Sequence, residues 1–140
     1  MNGFLLDTNC ISEVVSPRPE QRVLDWLDRT DEALLHLSVL TLGEIRKGIA
    51  GLAQGKRRSQ LETWLHSDLP ARFSGRILTI DRLVADRWGL VVADGKRKGK
   101  AVARIDALLA ATALHFGLTL VTRNISDFQT VHVSLLNLWQ

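Results

Sequence analysis

Apolar and polar positions along the chain alternate between two patterns. Short, nearly unbroken apolar runs occupy residues 3–6, 34–40, 77–80, 118–122 and 131–136. Their length and the turn residues around them predict buried strands. Between them, apolar residues recur at helical spacing. Val23, Leu24 and Leu27 line one face of residues 20–29, and Leu42, Ile45, Ile49 and Leu52 line one face of 41–52. After the turn "AQGKRR", residues 57–69 read as a second helix, making a helical hairpin with 41–52. Asp81 opens another helix running to about residue 93, and "DGKRKGK" over 94–100 reads as a basic loop. Ile105, Leu108, Leu109, Thr112 and Phe116 predict the apolar side of a helix over 105–116, which Gly117 stops. Strands alternating with helices predict an α/β three-layer sandwich with a mostly parallel central sheet. Ligands of such sheets sit beyond the carboxyl ends of the strands.

One strand end stands out. In "FLLDTNCISEV" the apolar run breaks at Asp7, and Thr8 and Asn9 follow. Taken singly, each acidic candidate has an ordinary explanation. Asp7 suits a helix cap. Glu44 lies three residues after Thr41, so "TLGE" matches a capping box. Asp106 falls in a first helical turn, where negative charge meets the positive end of the macrodipole. Asp81 follows "RILTI" in the same way and reads as a plain cap, and Asp86 and Asp94 read as solvated charges. What sets Asp7, Glu44 and Asp106 apart is convergence, because a parallel sheet gathers these positions at one edge. "VTRNISDF" after the next strand adds Asn124 and Asp127. Oxygen donors in such a group suit Mg²⁺ or Mn²⁺. Without a cation they would repel one another and some would take up protons.

Composition narrows the classes. A chain of 140 residues fits one domain spanning 1–140. With 46% hydrophobic and 24% charged residues it reads as a soluble globular protein. A single cysteine, Cys10, allows no intrachain disulfide, which favours a cytoplasmic location, and reads as a small core residue. The apolar stretch 107–121 is interrupted by Thr112, His115, Gly117 and Thr119, so no membrane span is expected. The net charge of +3 is compatible with a polyanionic partner. Lys96, Arg97, Lys98, Lys100 and Arg123 are candidates for phosphate-backbone contacts, with a solvated surface as the equal alternative. Lys56, Arg57 and Arg58 read as surface, and the four tryptophans as core or interface anchors.

"LLDTNCISE", "LTLGEIRKGI", "RIDALLAATALHFGLTLVTRNISDF" and the final "NLW" together resemble the PIN domain, in the form found in VapC-type toxins and FitB-like members in particular. The resemblance spans nearly the whole chain. It implies a metal-dependent endoribonuclease using Mg²⁺, or Mn²⁺, as the toxin of a type II toxin–antitoxin pair. Its implied partners are RNA, a cognate antitoxin gripping the hairpin 41–69, and DNA only through that antitoxin, in a homodimer or hetero-oligomer. Carried over, Asp7, Glu44 and Asp106 are the catalytic, metal-holding triad, and Thr8 and Asn9 order the first acid. Asn124 stands where some members have Asp, which leaves the fourth ligand open between Asn124 and Asp127. Two other readings compete. One is an inactive PIN-like binding module. The other is an aspartyl-nucleophile phosphatase, which needs a second acid where Asn9 stands.

Overall fold

The computed structural model describes residues 3–140. Strands β1 (Phe4–Leu6), β2 (Leu35–Ser38), β3 (Ile77–Leu78), β4 (Thr119–Val121) and β5 (Leu135–Leu136) form one sheet in the order β3-β2-β1-β4-β5. Every pairing in it is parallel, so the expected mostly parallel sheet is wholly so. The register sets Phe4 beside Leu35 on one side and Leu5 beside Leu120 on the other. The chain moves outward from β1 through β2 to β3, then returns to the opposite side for β4 and β5. The direction therefore switches between β1 and β4, where open α/β sheets form their crevice.

Alternation along the strands divides the core between two faces. Leu6, Leu35, Leu37 and Val121 pack with helices α1 (Thr8–Ile11), α2 (Gln21–Arg29), α3 (Val39–Ala50) and α5 (Leu69–Arg72). Leu5 and Leu120 point the other way, onto Leu109 and Ala110 of α7 (Arg104–Phe116) and onto Phe128. A further cluster joins α7 to α6 (Arg82–Arg97) through Val84, Val91 and Ala111. The result is the expected three-layer sandwich. Cys10 is buried in the first cluster, and burial pushes its thiol up to about 12. Among the described residues no helix is long and apolar enough to cross a membrane.

Several elements differ from the sequence reading, each for a local reason. β2 ends at Ser38, whose hydroxyl accepts the Leu40 N–H at 3.1 Å and caps α3. Val39 and Leu40 are therefore helical, and "TLGE" is no capping box. Glu44 instead lies in the second turn of α3. Thr41 is fully buried, and its hydroxyl has no partner among the described residues. Thr41→Val should stabilise the fold by about 1 kcal/mol, seen as a higher urea midpoint, because an unsatisfied buried hydroxyl is lost.

The second hairpin helix begins as α4 (Lys56–Thr63), widens into a π turn over Trp64–Asp68 and ends with α5 at Arg72. The stretch 94–100 is not a loop throughout, since α6 runs on through Arg97. Asp94 pairs with Arg97 at 3.2 Å and Lys98 at 2.8 Å, and the basic residues favour the negative end of the helix dipole.

Helix α7 buries Ala107, Leu109, Ala110, Ala111, Thr112 and Ala113. Ile105 and Phe116, expected on its apolar side, are 43% and 42% exposed. The small alanine side chains let the helix approach the sheet and α6 directly. The run 131–136 yields only the two residues of β5, while Val131 and Val133 pack on the core from outside the sheet.

Candidate active site

Asp7 and Thr122 follow the neighbouring strands β1 and β4, at the switch in strand order. The Asp7 N–H continues the pairing by donating to the Val121 carbonyl at 2.9 Å. Its carboxylate is only 8% exposed and is held at both oxygens. Oδ1 accepts the Thr8 N–H at 2.7 Å, and Oδ2 accepts the Thr122 hydroxyl at 2.8 Å. Asp7 is thus the N-cap of α1, and the cap fixes its direction. Asp81 is a cap as well, accepting the Val84 N–H at 2.9 Å.

Thr122 is the site residue that the sequence reading passed over. It is fully buried and accepts the Asn124 N–H at 3.1 Å and the Asn9 side-chain amide at 3.5 Å. A hydroxyl where the run 118–122 turns polar was the available signal. Asn9 also accepts the Arg123 N–H at 3.3 Å, so Asn9 joins the ends of both strands. Thr8 serves two acids: its N–H holds Asp7, and its hydroxyl donates to Glu44 Oε1 at 2.7 Å.

Asp106 comes from the first turn of α7, and Asp127 from the 3₁₀ turn Ile125–Phe128. Burial raises the proton affinity of Asp7 against its two hydrogen bonds, and Glu44 and Asp127 raise it further. Asp106 is pushed up to about 6, chiefly by burial, then by Asp127, Asp7 and Glu44. Asp7, Glu44, Asp106 and Asp127 therefore share one field. Among the described residues none of them forms an ion pair with Lys or Arg. Of the two candidates for the fourth position, Asp127 is the one whose charge Asp7 and Asp106 feel. Asn124 starts the same turn, and its carbonyl accepts the Asp127 N–H at 3.1 Å.

These donors are all oxygens, and their charge is uncompensated, which suits a hard divalent cation. Among the described residues, no three His, Cys, Asp or Glu side chains are already gathered closely enough to hold one.

The metal-free protein should accordingly be more stable near pH 5 than near pH 7.5. The folded state holds the Asp106 proton up to about 6 rather than 3.8. That contribution is present below the lower value and is lost as pH rises through the upper one. Asp106→Asn should flatten this slope and raise the metal-free melting temperature at neutral pH, as scanning calorimetry can measure.

The candidate phosphate contacts separate into groups. Lys96 and Arg97 lie in the last turn of α6, where Arg97 pairs with Asp94. Lys98 pairs with Asp94 and donates to the Thr130 carbonyl at 2.9 Å. Lys100 donates to the Ser126 carbonyl at 3.2 Å and to Gln129 Oε1 at 2.8 Å. The Arg123 guanidinium lies over the Trp139 ring at 5.8 Å. Glu44 stands on the wall of two grooves. One, of about 310 Å³, runs between Thr8 and the hairpin residues Ile45, Leu61 and Trp64. The other, of about 670 Å³, runs between α3 and Ile105.

Comparison with known proteins agrees with this architecture. Toxin FitB of Neisseria gonorrhoeae is 38% identical over 136 residues, covering 97% of this chain and 98% of that one. VapC ribonuclease Y4jK of Sinorhizobium fredii is 33% identical over 137 residues, covering 98% of each. The structure of FitAB bound to an IR36 DNA fragment contains a chain that superposes with a TM-score of 0.92 at 36% identity, covering 98% of this chain and 96% of that one. The family model described as PIN domain matches residues 4–132, and the chain belongs to the PIN domain family.

Proposed function

We propose that this protein is a divalent-metal-dependent endoribonuclease and acts as the toxin of a toxin–antitoxin pair. The observation that carries the reading is that Asp7, held at the switch between β1 and β4, shares one field with Glu44, Asp106 and Asp127, none of which is paired with Lys or Arg among the described residues. The relatives named as a toxin and as a VapC ribonuclease support it.

Asp7, Asp106 and Glu44, with Asp127, would hold Mg²⁺ or Mn²⁺. When bound, such an ion lowers the pKa of water and offsets charge on the phosphoryl oxygens. The protein's own groups supply position. Thr8 and Thr122 fix both oxygens of Asp7, so it enters the reaction already oriented. Thr8 also holds one oxygen of Glu44, leaving the other to orient the attacking water. In the hydrolysis, a water oxygen bonds to phosphorus while the bond to the 3′-oxygen breaks. That oxygen leaves with a proton, giving 5′-phosphate and 3′-hydroxyl ends. Lys96 and Arg123, which form no ion pair among the described residues, are the candidates to meet the RNA backbone. Asn124 contributes through its backbone, which bonds Thr122 and the Asp127 turn.

An enzyme that cuts cytoplasmic RNA needs restraint. A cognate antitoxin would seat on the hairpin grooves that meet at Glu44, with DNA contacted only through the antitoxin. Brief expression followed by mapping of cellular RNA ends tests the reading. Discrete new 5′-phosphate ends are expected, absent when the antitoxin gene is co-expressed and its product co-purifies. A folded, Mg²⁺-supplied protein that leaves all RNA intact would sink the nuclease reading.

A further inference from the structure

The segment joining α6 to α7 does more than connect them. It folds back on the end of α6: the Lys98, Gly99 and Lys100 N–H groups donate to the Asp94, Lys96 and Gly95 carbonyls at 3.0–3.1 Å. Gly99 takes the left-handed φ of +76° that this turn requires. The fold-back is tight, because a Cβ on Gly95 would lie 2.9 Å from the Lys100 carbonyl oxygen. The Lys100 backbone is therefore fixed, and its ammonium reaches across to the Ser126 carbonyl and Gln129 Oε1. Ser126 immediately precedes Asp127. Lys98 adds a second tie, from Asp94 to the Thr130 carbonyl beyond the same turn.

We infer that Lys100 is a positioning residue for the acidic site, tying the segment that leads into the Asp106 helix to the turn that carries Asp127. A three-residue approach, Ala101 to Ala103, separates Lys100 from the start of α7. On the other side, the turn Ile125–Phe128 is a single 3₁₀ turn whose backbone Lys100 grips directly. Two of the three ammonium protons are used in this grip. That assigns Lys100 to holding the site together, in place of tracking RNA phosphates. The inference rests on the metal-dependent nuclease reading, and it concerns how the ion is held rather than whether RNA is cut.

Mn²⁺ binding, followed by titration calorimetry on the whole protein, provides the test. Lys100→Met keeps the length of the stem but removes every donor, whereas Lys100→Arg keeps donors for both acceptors. Lys100→Met should bind Mn²⁺ roughly tenfold more weakly, as for loss of a group that orients a metal ligand. Lys100→Arg should bind close to wild type, and the melting temperature of both metal-free variants should hold. In metal-free buffer, where no cleavage competes, the salt dependence of RNA binding should be the same for Lys100→Met as for wild type. Wild-type Mn²⁺ affinity in Lys100→Met would overturn the inference. So would a fall of about 0.7 in the salt slope, the signature of one lost phosphate contact on a single strand. Wild-type cleavage of RNA, measured alongside, tests the nuclease reading separately.

Discussion

Asp7→Asn is expected to lower RNA cleavage by roughly 10²–10³-fold or more, as for loss of a buried electrostatic group at the reacting centre, while the protein stays folded. The substitution keeps the size of the side chain and removes its charge. It also disturbs a closed set of hydrogen bonds. Thr122 already accepts from Asn124 and Asn9, so its one proton is committed to Asp7 Oδ2. An asparagine amide turned toward Thr122 would face a hydroxyl with no free acceptor. Turned the other way, it would leave the Thr8 N–H without its cap. The cost to stability is that of a weakened cap, about 0.5–2 kcal/mol, partly offset because burial disfavours the charge. Thr122→Val probes the same bond from the opposite side. It keeps the carboxylate but frees its orientation, so metal affinity should fall roughly 10–100-fold. Thermal melts run beside cleavage time courses separate folding from chemistry. A folded Asp7→Asn protein that cuts at the wild-type rate would refute the site.

Removing divalent metal with EDTA should stop cleavage, and Mg²⁺ or Mn²⁺ should restore it. The proposed donors are carboxylate oxygens, with no Cys or His among them, so the hard cations are the chemical match. The same ions should raise the melting temperature. Binding to the folded state alone at a hundred times Kd adds about 2.7 kcal/mol, and here it also relieves repulsion among the acids. Asp7→Asn should lose most of that rise. Dependence on Zn²⁺ with no response to Mg²⁺ would mean that other residues hold the metal.

Much of this site was legible in the chain because the physics is local. A carboxylate that abruptly ends a short apolar run, as at Asp7, marks a strand end in an α/β pattern. Asp106 was placed in its first turn by the helical spacing that follows it. Glu44 loses its ordinary explanation, since Ser38 takes the cap that "TLGE" advertised, and its candidacy rests on the family resemblance. What stayed hidden depends on tertiary pairing. Thr122 matters because β4 lies beside β1, a neighbour relation that spacing does not carry. That the charge of Asp127 raises the proton affinity of Asp7 and Asp106 likewise depends on tertiary placement. Lys98 and Lys100 looked like free cations because Thr130, Ser126 and Gln129, which accept from them, lie some thirty residues away.

The strand order has a consequence for the protein while it is being made. β1 leaves the ribosome before the other four strands of the sheet, yet it occupies the centre and must wait for its partner β4. Asp7 gains its bond to Thr122 only after a further 115 positions have been added, which takes roughly 6–23 s at ~5–20 residues per second. Asp106 and Asp127 emerge within the same late stretch. On the proposed nuclease reading, nascent chains are inactive, and chains broken off early lack Asp106 and Asp127. The hairpin, by contrast, is complete by Arg72, so the surface proposed for the antitoxin is synthesised well before the four acids can come together.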